Sequence, residues 1–84
     1  MPANSYVVYV LRSTVDPTRY YTGLTTNVAA RVAVHNSGGS VYTRELRPWD
    51  LVVSLEFTND SSAISFEKYL KSGSGRAFAK KHFA

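Results

Sequence analysis

The chain has 84 residues, a net charge of +4 and no cysteine. Its length suits one domain, expected over residues 1–84, and 44% hydrophobic with 13% aromatic residues supplies enough apolar surface to fold it. The missing cysteines exclude a disulfide-stapled scaffold and a thiolate metal site, and two histidines are too few for a Cys/His zinc knuckle.

Taken in order, Met1 to Ser5 shows neither the basic nor the apolar region of a signal peptide. The longest strongly apolar run, Tyr6 to Leu11, falls far short of the roughly 20 residues that span a bilayer. A cytoplasmic protein with no membrane contact is the expectation. Tyr6 to Arg12 is β-branched and aromatic without alternation, which predicts a strand covered on both faces. Asp16-Pro17 marks a turn, and Arg19 to Leu24 predicts a second, antiparallel strand. Gly23 inside that strand points to a bulge or a close backbone approach.

Thr25-Thr26-Asn27 offers N-caps for a helix over Val28 to Asn36, with Val28, Ala29, Val32 and Ala33 as its apolar stripe and Gly38-Gly39 as its stop. Ser37 to Pro48 reads as a loop closed by Arg47-Pro48-Trp49-Asp50, and Leu51 to Phe57 as a third strand. Thr58-Asn59-Asp60 caps a helix over Ser61 to Lys71. Ser72-Gly-Ser-Gly75 breaks it, and Arg76 to Phe83 forms a short third helix. The expected class is α/β: a small three-stranded mixed or antiparallel sheet flanked by helices, in the order ββαβαα.

Four groups of residues can carry chemistry. Glu67 lies within or beside the stripe Ala63, Phe66 and Leu70, either as a pocket carboxylate for a divalent cation or as an edge residue paired with Lys71 at i+4. Arg31 and His35 share a helix face, where they can clamp phosphate and move a proton or simply meet solvent. Tyr6, Tyr9, Tyr20 and Tyr21 crowd the first two strands, as packing residues or as hydroxyls converging on a site. Lys71-Ser-Gly-Ser-Gly-Arg76 is a helix–helix turn or an anion-binding turn. Charge is uneven. No acid follows Glu67, whereas Lys68, Lys71, Arg76, Lys80 and Lys81 do, and a phosphate backbone would be attracted there.

The ordered pieces Tyr6-Val-Val-Tyr9, Tyr21-Thr-Gly23, Arg31, His35-Asn36-x-Gly38, Thr43, Arg47-Pro48-Trp49, Phe66-Glu67 and Leu70 to Arg76 resemble the GIY-YIG endonuclease superfamily. The nearest likeness is its small single-domain bacterial branch, related to the nuclease domain of the excision-repair endonuclease. The resemblance implies divalent-metal-dependent cleavage of phosphodiesters, with DNA as the expected polymer and repair or recombination as the expected setting. It implies Tyr9 as general base, Tyr21 as the residue orienting water or phosphate, Arg31 as the charge stabiliser and His35 near the reaction centre. Glu67 would be the single ligand of Mg²⁺ or Mn²⁺, and Gly23 the motif glycine. Arg44, Arg47, Lys71, Arg76, Lys80 and Lys81 would hold the strand.

Two positions depart from the family pattern. Val7-Val8-Tyr9 lacks the first motif's glycine, and no Asn follows Glu67. Two other functions fit the same residues: a nucleic-acid-binding module with little or no turnover, and an interaction protein whose aromatic sheet forms a homodimer. With one domain, substrate choice would come from this surface, a homodimer or a targeting partner protein.

Overall fold

The computed structural model describes residues 6–83. Met1 to Ser5, read above as lacking a leader, lie outside the described residues.

The sheet is built around the strand whose sequence does not alternate. β1 (Tyr6–Ser13) lies between β2 (Tyr20–Thr25) and β3 (Trp49–Phe57), antiparallel to both, in the order β2-β1-β3. The mixed alternative is thereby resolved as antiparallel. Val8 and Val10 pack on one face with Ala63 and Leu70, while Tyr9 and Leu11 pack on the other with Trp49. A strand with helices over both faces has no wet side, so it gains nothing from polar residues at every second position.

Helices cover the two faces unequally. α1 (Val28–Ser37) lies over the Tyr9 face, with a single 3₁₀ turn at Arg44–Leu46 beside it. α2 (Asp60–Lys71) and α3 (Gly73–His82) lie over the Val8 face. There Phe57, Phe66, Phe78 and Phe83 pack as a chain of rings with centroids 5.5–6.4 Å apart, within the range of favourable aromatic pairs. Asn27 and Asn59 cap α1 and α2 by accepting from Ala30 and Ser62 backbone N–H groups. Gly38 ends α1 in the left-handed region at φ 86°, a conformation that costs a residue with a Cβ.

Two local expectations are corrected. The buried face of α1 is Val28, Val32 and His35, spaced i, i+4 and i+7, while Ala29 and Ala33 face solvent. An alanine buries little apolar area, and His35 can be buried because both ring nitrogens find partners. The third helix starts at Gly73 rather than Arg76. Ser72 closes α2, its side chain then caps α3 by accepting from the Gly75 N–H, and the two helices abut without a linker.

The glycines of that junction are not equivalent. A Cβ on Gly75 would overlap the Tyr69 carbonyl, whereas one on Gly73 would meet nothing within 4 Å. Backbone cannot yield as a flexible side chain can. Gly75→Ala is therefore expected to lose about 1–3 kcal/mol, and Gly73→Ala to be neutral or gain up to about 1 kcal/mol, both read by urea denaturation. Equal effects at the two sites would contradict this packing.

Candidate active site

A fully buried imidazole is the centre of the Tyr9 face. His35 is 0% exposed. Its Nε2 is hydrogen-bonded to the Tyr9 hydroxyl at 2.9 Å and its Nδ1 to the Thr43 hydroxyl at 2.8 Å. Tyr9 and Thr43 are themselves 1% exposed. The loop carrying Thr43 is tied down from β3. The Trp49 indole donates to the Thr43 carbonyl at 2.8 Å, and the Trp49 backbone exchanges two hydrogen bonds with the Asn36 side chain.

Gly23 explains how Tyr9 reaches that position. The two residues face each other across the β1–β2 ladder. A Cβ at Gly23 would overlap the Tyr9 hydroxyl, so the ring lies across β2 where the side chain is missing. Tyr21, two residues earlier, keeps its ring beside this pair, with centroids 6.3 Å from Tyr9 and 4.8 Å from His35. Tyr9, Tyr21 and His35 thus form one cluster drawn from β1, β2 and α1.

Arg31, one turn before His35, supplies the local positive charge. Burial pushes the Tyr9 phenol above its ordinary value of 10.0, and the Arg31 guanidinium opposes this by hydrogen bonding and attraction. Burial lowers the His35 pKa first, and the Arg31 charge lowers it further. His35 is therefore neutral at pH 7, with one nitrogen protonated and one free.

Glu67 approaches from the opposite helix layer. Its carboxylate is 16% exposed and pairs with Lys71 at 2.6 Å, so the inward placement and the i+4 pairing coexist. Lys71 is close enough for its charge to lower the Tyr9 pKa, which links this ion pair to the Tyr9 cluster. Among the described residues no three His, Asp or Glu side chains gather into a cation cage. A single carboxylate, even one as shielded as Glu67, still fits Mg²⁺, which commonly takes one or two carboxylates and fills its remaining positions with water and phosphate oxygens.

A groove of about 890 Å³ runs between the β1–β2 hairpin and the C-terminal helices. Arg19, Lys71, Arg76 and Lys80 line it with Tyr20 and Tyr21, and among the described residues no acid does. Lys81 is exposed on α3 outside this lining, Arg44 is exposed on the 3₁₀ turn, and Arg47 lies against Gly38 at the end of α1. Lys71, Arg76 and Lys80 are thus brought together, whereas Arg44, Arg47 and Lys81 stand elsewhere.

Comparison with known proteins decides the family. The model of the GIY-YIG catalytic domain matches residues 5–81. The chain belongs to the GIY-YIG family. It is 48% identical over 73 residues to a UPF0213 protein of Natronomonas pharaonis, covering 86% of this chain and 82% of that one. The solution NMR structure of a UPF0213 protein from Bacillus halodurans shares 33% identity and superposes with a TM-score of 0.56, over 92% of this chain and 81% of that one. The structure-specific endonuclease subunit SLX1 of Chaetomium globosum is 40% identical over 68 residues, 74% of this chain. This chain spans only about a fifth of that fungal protein, since the match covers 21% of it.

Within the GIY-YIG frame, the second motif's Tyr21-x-Gly23 has a steric meaning here: the glycine admits Tyr9 and the tyrosine packs beside it. Two participants escape the sequence reading as site residues. Thr43 is legible only as a motif position, because no spacing rule connects it to His35 across a loop. Arg19 reads as an ordinary strand residue, whereas its neighbour Tyr20 stands among the tyrosines already singled out.

The buried neutral His35 makes stability depend on pH. The unfolded imidazole takes up a proton near its ordinary 6.5, and the folded one only at lower pH. Below about pH 6.5 the unfolded chain therefore binds more protons, and stability falls as pH falls until the depressed folded value is passed. Urea midpoints measured from pH 7.5 to 5 should decline, with a smaller decline in His35→Gln. A wild-type midpoint that rises or stays level over that range would contradict a buried neutral imidazole.

Proposed function

We propose that this chain is a divalent-metal-dependent endonuclease that hydrolyses phosphodiester bonds in nucleic acid, with DNA as substrate in repair or recombination. The observation that carries the reading is the Tyr9 hydroxyl held by buried His35 beside Arg31. A tyrosine needed only for packing would not be expected to bind an imidazole buried beneath it. The name of the SLX1 relative, a structure-specific endonuclease subunit, agrees with the reaction class.

In this mechanism Tyr9, as phenolate, accepts the proton of the attacking water. Arg31 neutralises negative charge developing on the phosphate and also lowers the cost of ionising Tyr9. Tyr21 orients the water or the scissile phosphate. Glu67 would hold Mg²⁺ or Mn²⁺, and the cation when bound supplies Lewis-acid stabilisation of phosphate and leaving oxygen. Lys71 releases Glu67 and turns to the phosphate backbone. The groove walled by Arg19, Lys71, Arg76 and Lys80 takes the adjoining strand, with Tyr20 exposed for stacking on a base.

Cleavage panels over linear and branched DNA and RNA, with and without Mg²⁺ or Mn²⁺, test the reading. Wild type is expected to nick only with metal. Arg31→Ala and Glu67→Ala should each lose at least about a hundredfold in rate while retaining cooperative unfolding. Equal cleavage by Glu67→Ala would sink the proposed site. Because the Tyr9 phenol is held above its ordinary value, phenolate is scarce at neutral pH. The rate should therefore rise about tenfold per pH unit through neutrality, and a flat profile with chemistry rate-limiting would remove Tyr9 as the base.

The groove has its own test. Lys80→Ala and Arg76→Ala should weaken binding and each reduce the slope of log affinity against log salt by about one. Unchanged slopes would place the strand elsewhere.

A further inference from the structure

The turn that carries Thr43 also carries the two large apolar side chains left most open to solvent among the described residues. Tyr42 is 85% exposed and Val41 is 64% exposed. Surface turns ordinarily draw on Gly, Pro, Asn, Asp and Ser, so the turn itself does not account for an aliphatic and an aromatic residue at its corner. Nor is the corner loose. The Thr43 and Arg44 N–H groups both donate to the Ser40 carbonyl, at 3.3 and 3.1 Å, and the Leu46 N–H donates to the Thr43 carbonyl at 3.2 Å. That carbonyl also accepts from the Trp49 indole, and the Thr43 hydroxyl meets the buried His35 Nδ1. The turn is fixed on its inner side while Tyr42 projects into solvent.

Its place decides what it can meet. Thr43 and Tyr9 hold the two nitrogens of one imidazole, so the residue next to Tyr42 stands one ring's width from the hydroxyl of the proposed base. Arg44 and Arg47 are exposed on the same segment, with the acid Glu45 between them. A protein partner would need far more apolar surface, since stable interfaces bury roughly 1,200 Å² or more, and two side chains offer a small part of that. One ring near arginines suits one nucleotide, with its base on the ring and its phosphates on the guanidinium groups. In continuous duplex each base face is already covered by its neighbours. A projecting ring finds a free base face only where a base is unpaired.

We infer that Tyr42 is a stacking platform for an unpaired base beside the scissile phosphate, which directs the chain to single-stranded or interrupted DNA rather than continuous duplex. The inference rests on the nuclease reading of the Tyr9 site and adds the form of the substrate. No residue of this turn lines the basic groove, so the platform is a second contact with the strand. A ring already held in place loses little freedom on stacking, which is what the Thr43 and Trp49 bonds secure.

Anisotropy titrations without metal measure binding to three labelled DNAs: a single strand, a duplex with one bulged 2-aminopurine, and the matched duplex. Wild type should bind the first two more tightly. Tyr42→Ala should weaken those two by about tenfold to a hundredfold, change the matched duplex little, and keep the wild-type urea midpoint. Quenching of the bulged 2-aminopurine should be lost in Tyr42→Ala, and Tyr42→Trp should keep both affinity and quenching. The slope of log affinity against log salt should stay the same in Tyr42→Ala and fall by about one in Arg44→Ala.

A Tyr42→Ala protein that binds every DNA as wild type does, or that loses as much on the matched duplex, would overturn the inference. So would a wild-type dimer that the substitution dissociates without changing DNA affinity. Metal-dependent cleavage of bulged DNA at subsaturating concentration, unchanged in Tyr42→Ala, would overturn the platform and leave the nuclease reading standing. Tyr42-dependent binding by a wild type that cleaves nothing in any metal would uphold the platform and remove the nuclease reading instead.

Discussion

The structure turns on burying one imidazole with both nitrogens satisfied. A neutral histidine can leave water only if a donor and an acceptor wait for it. Here the two partners come from different parts of the chain, Tyr9 on β1 and Thr43 on a loop 34 residues later in sequence. Each partner imposes its own requirements. Tyr9 must cross β2, which needs a missing side chain at Gly23. Thr43 must be held still, which needs the Trp49 and Asn36 contacts. The fold of the Tyr9 face follows from these demands as well as from apolar packing, since the buried cluster around it also includes Leu11, Trp49, Val28 and Val32.

Charge is divided to match. The groove beside Tyr21 is lined by cations and, among the described residues, by no acid, while Glu67 stands at its border, paired with the Lys71 that lines it. An i,i+4 ion pair contributes only a few tenths of a kcal/mol at a surface; with Lys71 52% exposed, the proposed reading has the lysine turn to a phosphate and free the carboxylate at modest cost. The same ion pair is therefore a modest structural contact and, on the proposed reading, the resting form of a metal-binding carboxylate.

Much of this was legible in the sequence, and the failures have physical causes. The unbroken apolar run Tyr6 to Leu11 led directly to a central strand buried on both faces. Glu67 interrupts the stripe of Ala63, Phe66 and Leu70, and that interruption is what places its carboxylate inward beside Lys71. The face of α1 was misjudged because a hydrophobicity count gives His35 no credit for burial, whereas its two hydrogen bonds make burial tolerable. The start of α3 was misplaced because glycine usually ends helices. Gly75 lies in the first turn of one here, since α3 must pass against the Tyr69 carbonyl with no Cβ in between. Thr43 and the groove residue Arg19 depend on tertiary contacts that no local period encodes.

The central claim is that the Tyr9 hydroxyl, and not its ring, is what the site is built to present. Tyr9→Phe tests this most directly, because it keeps the ring over Gly23 and removes one oxygen. Metal-dependent cleavage by Tyr9→Phe should be compared with wild type under single-turnover conditions, alongside the urea unfolding of both. The account predicts a folded variant, within about 1–3 kcal/mol of wild type after leaving Nε2 unpaired, whose cleavage rate falls by about a hundredfold or more. A folded Tyr9→Phe protein that cleaves at the wild-type rate would contradict it.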